Sequence, residues 1–403
     1  MGSQKPSLPP GCRTAIGLAR SISNPGLLFT QHPDLCRLYL VHTGTPAPAA
    51  GRTDSRIRQV AIHDEFSVPA ALGKLFQGDA LYFAEGKVGI LFSPADLTDH
   101  AALCLTLARF FKEYTQSVLS SVALHATRGW HMLANALMNL PRLAGGHSIE
   151  ELRGRFNGRA VVIVGAGPSL DATVETLKCA AGAIPIIACD AACSTLAHAG
   201  LVPDLIATTD DSERVWRHFA ALPDRFRSVP LVCMLNSSWP VIRHHRGALY
   251  FGRSAAPCGG VIERKTGLPM ALFDCGQCVG HAALEAACLL GGNPVIMTGF
   301  DLSFRADRFH PEHMQMPYFH LHPPPKENRV MVPGNSGTEV ATDLSMFFYL
   351  KEFERRIKAC GRQVINATEG GALIQGATLL SLKEALSSVS VSASFPSLSP
   401  GSH

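Results

Sequence analysis

Residues 160–164 read Ala-Val-Val-Ile-Val and stand between Arg159 and Gly165. A run this short and this apolar is the mark of a strand buried on both faces, the kind that parallel sheets are made of. It is followed by Gly165-Ala166-Gly167-Pro168-Ser169-Leu170 and a helical segment to about residue 181. The alternation then repeats. Strands are predicted over 184–189, 205–209, 231–235, 249–251, 272–273 and 295–298, with helices over 191–199 and 212–221. This order implies an α/β, Rossmann-like doubly wound and mostly parallel sheet. Ligands of such sheets bind outside the carboxyl ends of the strands, where strand order reverses. The residues that follow each strand are therefore the candidates for function.

A chain of 403 residues has room for two or three domains. Residues 1–24, rich in Pro, Gly and Ser, read as loose. Residues 1–95 are expected to form a small β-rich domain, with short runs at 38–41 and 58–62 and a hairpin turned at Glu85-Gly86-Lys87. Residues 96–150 read as a helical connector of two helices, broken around Arg128 and Gly129. Residues 151–386 carry the sheet, and 387–403 read as a disordered tail of Ser, Val and Pro. The 36 basic and 32 acidic residues leave a net charge of +4, too mild for a nucleic-acid binder, and 7% aromatic residues make a base-stacking platform unlikely. No apolar stretch reaches the 18 or so residues of a membrane span, and residues 1–17 lack the apolar core of a secretory signal. The twelve cysteines are scattered, mostly in apolar runs, which fits buried thiols in a reducing cytoplasm.

At the first strand end, Gly165 and Gly167 let a backbone come close to a ligand. The helix behind them points N–H groups at an anion, with the Ser169 hydroxyl as a further donor. The loop is neither a full dinucleotide fingerprint nor a Walker loop, and a plain tight turn is its other reading. Asp190 follows the second strand, placed either to accept a ribose hydroxyl or to cap the next helix. Asp210 and Asp211 follow the third, suited to a sugar hydroxyl, a cation or a cap. Gly276-Gln277-Cys278-Val279-Gly280 opens another helix and offers a second close approach. Cys275 and Cys278 form a CxxC without a second pair, and the neighbouring glycines explain that spacing better than redox or metal chemistry. Asp301 ends the strand at 295–298. The segment 305–337 reads as a lid or binding loop, with His310 and His313 as candidate general bases and Arg305 and Arg308 to attract an anion. Arg308 is expected to lower the pKa of His310 and keep it neutral. A helix is predicted over 339–360, followed by a strand and the turn Asn366-Ala367-Thr368-Glu369-Gly370-Gly371-Ala372.

Taken in order, residues 161–171, the Asp190 block, Val202-Pro203-Asp204-Leu205, Gly299-Phe300-Asp301-Leu302 and residues 366–372 resemble the bacterial motility accessory factor family. The resemblance covers about 157–386. The family's Rossmann-like central module also occurs in archaeal hydroxymethylpterin diphosphokinase. Membership implies transfer of a nonulosonic, sialic-acid-like sugar from a CMP-activated donor to Ser or Thr of flagellin. The module is also similar to bacterial sialyltransferases, which work without a metal and use a histidine base in a mobile segment after a Gly-x-Asp strand end. By that resemblance His310 or His313 is the base and Asp301 belongs to the catalytic group. Gly165, Ala166, Gly167, Ser169, Asp190, Asp210, Gly276, Gln277, Asn366 and Glu369 would hold the donor. No cofactor is implied. The diphosphokinase alternative would need Mg²⁺ on Asp210, Asp211 or Asp301, and a third reading keeps the fold as a non-catalytic nucleotide-sugar-binding partner of flagellin assembly.

Overall fold

The computed structural model describes the chain except residues 1–7, 20, 21, 23, 44–53, 63–67, 77, 78, 255, 256, 268, 269, 306, 307, 309, 313, 315–328, 390–394 and 399–403. It divides into two compact units, Met1–Trp130 and His131–His403. No helix among the described residues is long and apolar enough to cross a membrane.

The first unit contains β1 (Thr14–Leu18), α1 (Pro25–Gln31), β2 (Arg37–Thr43), β3 (Ile57–Ile62), α2 (Val68–Leu75), α3 (Ala80–Phe83), β4 (Val88–Leu91) and α4 (Pro94–Asp99). Its four strands pair in the order β3-β2-β1-β4, all parallel. The expected hairpin at 85–87 is absent: Ala80–Phe83 is helical, and Val88–Leu91 pairs in parallel with β1. A parallel neighbour needs a crossover rather than a tight turn. The expectation of a loose N-terminus fails at β1, a wholly buried central strand.

One helix, α5 (Ala101–Ala144), replaces the two expected. Gly129 lies inside it, where a glycine costs only about 1 kcal/mol relative to alanine and does not end the helix. Leu103, Leu107 and Phe111 join the core of the first unit, whereas Ala136 and Leu143 join that of the second.

The second unit continues with β5 (His147–Ser148), β6 (Val161–Val164), α6 (Leu170–Leu177), β7 (Ile186–Cys189), α7 (Cys193–His198), β8 (Leu205–Thr208), α8 (Glu213–Ala221), β9 (Leu231–Met234), α9 (Trp239–His244), β10 (Leu249–Gly252), α10 (Pro257–Thr266), α11 (Val279–Leu289), β11 (Val295–Thr298), β12 (Val330–Pro333), β13 (Glu339–Thr342), α12 (Leu344–Cys360), β14 (Val364–Asn366), β15 (Thr378–Leu379) and α13 (Leu382–Ser387). Nine strands form one parallel sheet in the order β15-β14-β11-β6-β7-β8-β9-β10-β5. This is the Rossmann-like architecture expected. Every residue of β6 to β11 is buried, because helices cover both faces. Each buried Val or Ile there contributes about 1.5–3 kcal/mol of transfer free energy.

Two local expectations need correction. Residues 272–273 make only an isolated bridge between Leu272 and Arg253. The helix predicted from residue 339 starts at Leu344, since Glu339–Thr342 pairs with β12 as an antiparallel hairpin and Asp343 caps the helix by accepting from the Met346 N–H at 2.7 Å. In the expected tail, Phe395 packs on Phe156, and Leu398 is buried and accepts from the Tyr250 hydroxyl at 2.6 Å.

Candidate functional site

From β6 the chain adds β7, β8, β9 and β10 outward in one direction, then returns to place β11 on the other side of β6. Strand order therefore reverses between β6 and β11, and this is where the glycine loop meets Gly299-Phe300-Asp301. The Gly165 N–H donates to the Thr298 carbonyl at 2.8 Å, and the Gly167 N–H to that of Gly299 at 2.7 Å. The Ser169 N–H donates to both Asp301 carboxylate oxygens at 3.2 Å, and the Ser169 hydroxyl to Oδ2 at 2.6 Å. Asp301 thus places a protein carboxylate at the N-terminus of α6, where the helix dipole favours an anion. Burial raises the Asp301 pKa, and the Ser169 hydrogen bonds and nearby Arg305 pull it back. A Cβ on Gly167 would overlap that carboxylate, and one on Gly165 would lie 2.5 Å from the Gly299 carbonyl oxygen. In this conformation the close approach that these glycines permit is to Asp301 and Gly299.

Asp190, at the end of β7, is buried. Its Oδ1 accepts from the Ala191 N–H at 2.7 Å and its Oδ2 from the Thr208 hydroxyl at 2.6 Å. Burial pushes its pKa up to about 7, with the Asp210 charge adding to the rise. Asp210 is half-buried and accepts from the Ser212 N–H at 2.8 Å. The backbone carbonyl of Asp211 accepts from His131 and from Asn135, each at 2.7 Å.

His218, on α8, donates its Nε2–H to the Asp190 backbone carbonyl at 2.7 Å, so its Nδ1 accepts from the Ser194 hydroxyl at 3.1 Å. His310 reaches the glycine loop and donates its Nδ1–H to the Ala166 carbonyl at 2.9 Å. A carbonyl can only accept, so the lone pair of the neutral ring lies on Nε2. Burial lowers the His310 pKa, and His218 lowers it further. The expected role of Arg308 in that shift is not met, since its guanidinium reaches Asp171 Oδ2 at 3.8 Å. Asp171 also accepts from the Glu312 N–H at 3.0 Å, fastening the segment around His310 to the first turn of α6. His313, the other candidate base, lies outside the described residues.

The second glycine block is organised by His281 at the start of α11. Its Nε2–H donates to the Tyr349 carbonyl at 3.0 Å, so Nδ1 accepts from the N–H groups of Gln277 at 3.1 Å and Cys278 at 3.3 Å. Gly276 takes a left-handed φ of 62°, and a Cβ there would crowd the His281 ring. The N–H groups expected to face a ligand thus turn inward. Cys275 and Cys278 are both free thiols, and burial pushes Cys278 up to about 12.

Asn366 is buried. Its amide donates to Asn335 Oδ1 at 3.2 Å, and its carbonyl accepts from the Thr368 N–H at 3.1 Å. The Thr368 hydroxyl accepts from the Phe300 N–H at 3.1 Å, and the Ala372 N–H donates to the Asp301 carbonyl at 2.7 Å. This turn therefore packs directly behind Asp301. Glu369 is exposed and accepts from the Leu382 N–H at 3.1 Å, at the start of α13.

The sequence candidates sort into a buried frame and an accessible rim. Gly165, Gly167, Ser169, Asp190, Asp301 and Asn366 form the frame, whereas Ala166, Asp210, Gln277 and His310 remain accessible to solvent. The sequence reading passed over His218, Ser194, Tyr349 and Asn335. Tyr349 is half-buried, and burial raises its pKa to about 12, with Cys278, Asp343 and Asp210 adding to the rise. Asn335 holds the Asn366 turn through its amide, which donates to the carbonyls of Thr368 at 3.1 Å and Gly370 at 2.6 Å. The turn signal Gly334-Asn335-Ser336-Gly337 was available for Asn335. No local pattern marks a helical His218 as a neighbour of Asp190.

A family model described as 6-hydroxymethylpterin diphosphokinase MptE-like matches residues 134–307. No curated protein matches the chain. Among solved structures, a MAf glycosyltransferase from Magnetospirillum magneticum AMB-1 is similar over 96% of this chain and 60% of its own, with 17% identity and a TM-score of 0.58. The chain thus spans about three fifths of that protein's length, and at this identity the likeness is one of fold.

Proposed function

We propose that the chain is a glycosyltransferase of the motility accessory factor kind, moving a nonulosonic sugar from a CMP-activated donor to a Ser or Thr hydroxyl of flagellin. The observation that carries this reading is His310 lying against the glycine loop at the reversal of strand order, with Nδ1 protonated and Nε2 basic. The fold likeness to a glycosyltransferase supports it. The acceptor oxygen attacks the anomeric carbon of the sugar and gives its proton to His310 Nε2. The bond from that carbon to the CMP phosphate oxygen breaks, and CMP leaves with the electron pair. Burial keeps His310 neutral, as a base must be. The donor lies along Ala166, Asp210 and Gln277, while Gly165, Gly167, Ser169, Asp190, Gly276 and Asn366 hold that rim in place. Arg305, near Asp301, attracts the anionic donor.

The family-model match favours a second reading, pyrophosphate transfer from ATP. Mg²⁺ would need Asp210, Asp211 or Asp301, and the carboxylates of two of these are already engaged: Asp210 accepts from the Ser212 N–H, and Asp301 from the Ser169 N–H and hydroxyl.

Calorimetry with CMP and with ATP separates the two, and CMP should bind the more tightly. His310→Ala should lower transfer about 10²–10⁴-fold with CMP affinity little changed. ATP bound well and CMP not at all, or normal transfer by His310→Ala, would overturn the reading.

A further inference from the structure

At the opposite edge of the nine-stranded sheet, where β10 begins, lies a cavity of about 400 Å³. Its walls include Pro141 and Arg142 at the end of α5, Gly145, His147 of β5, and Arg246 and Gly247 on the approach to β10. The glycine loop and its partners stand at the carboxyl ends of the strands, so this cavity has no part in the transfer site.

The charges around it do not balance. Arg142 donates from Nη2 to the His245 carbonyl at 2.9 Å, but its Nε is buried without a hydrogen-bond partner. Among the described residues it has no carboxylate within ion-pair distance. Among the described residues Arg246 pairs with Asp224, at 3.6 Å, and Arg227 shares that same carboxylate at 3.6 Å. Two guanidinium groups thus share one acid, and Arg142 has none in reach. The carboxylate of Glu151 is engaged by His147 Nδ1 at 2.9 Å. The C-terminal end of α5 adds only a partial negative charge. A guanidinium without a counter-charge in a partly desolvated wall is costly, and its planar fork matches the oxygens of a phosphate.

We infer that this cavity is a second ligand site, which takes the phosphate group of a small phosphate monoester or free phosphate on Arg142 and Arg246. The volume leaves room for an attached organic group, being within the range of small-molecule pockets, about 300–1,000 Å³.

Calorimetry on the full chain tests it with two probes, inorganic phosphate and glycerol 3-phosphate. Both should bind wild-type protein, and tighter glycerol 3-phosphate would mark a monoester as the ligand. Arg142→Gln should weaken binding about tenfold to a hundredfold, the size of a lost charge-assisted hydrogen bond. Arg246→Ala, at a side chain that is 61% exposed, should fold normally and weaken it severalfold. His310→Ala should bind both probes as wild type does. Absence of binding to wild type, full binding by Arg246→Ala, or loss of binding only in His310→Ala would overturn the assignment.

Discussion

Asp190 holds its carboxyl group away from water between the Ala191 N–H and the Thr208 hydroxyl. Folding raises its pKa to about 7, against about 3.9 in an unfolded chain. Between those values the folded protein keeps a proton that the unfolded chain has released. The stabilising contribution is therefore complete below about pH 3.9 and falls away as pH rises through about 7. Asp190→Asn keeps an oxygen for Ala191 and gives Thr208 a donor, without the titration. The variant should match wild type near pH 4 and exceed it above pH 7 by at most about 4 kcal/mol, three units at ~1.4 kcal/mol each. Urea denaturation at pH 5 and pH 8 checks this, and an equal gap at both would refute it. The sequence placed Asp190 correctly at a strand end. It could not say whether the side chain faces a ligand or the protein, because that depends on Thr208, 18 residues away.

At the scale of elements, α11 begins where His281 gathers the Gln277 and Cys278 N–H groups and anchors them to α12 through the Tyr349 carbonyl. His281→Ala would orphan two donors and an acceptor in the interior, and should cost about 2–4 kcal/mol by urea denaturation at neutral pH. Burial also brings the His281 pKa down to about 4, from an ordinary value near 6.5. On acidification through that window the unfolded chain takes up a proton that the fold refuses, so stability is lost as pH falls. Removing His281 should flatten that acid slope by about 1.4 kcal/mol per pH unit, one proton's worth. His245, also lowered to about 4 by burial, keeps its share of the slope. The element types of the sheet were legible because four-residue apolar runs such as Val161–Val164 have one reading when helices separate them. The hairpin of β12 and β13 was not. Glu339–Thr342 carries no strand signal apart from its pairing with Val330–Pro333.

At the scale of the whole molecule, the hydrophobic clusters of the described residues fall wholly on one side or the other of the division at Trp130. A core that is complete in itself can melt by itself. Scanning calorimetry should accordingly resolve two transitions, and residues 131–403 made alone should retain the second within a few degrees. A single transition in the full chain, or an unfolded fragment, would show that the cores depend on each other. In the first unit the sheet was legible at 38–41 and 58–62, whereas the helices Pro25–Gln31 and Val68–Leu75 and the strand Thr14–Leu18, which follows a Pro- and Gly-rich stretch, were not.

The nine-stranded sheet ends at both margins in strands of two residues, His147–Ser148 and Thr378–Leu379. Seven apolar strands laid side by side would otherwise present long rows of unpaired backbone to any passing chain, a template for fibrils. A margin two residues long offers a foreign strand too little ladder to hold. The margins of this wide, apolar sheet thus work against edge-to-edge pairing, and changes that lengthen either of them are expected to make the molecule precipitate.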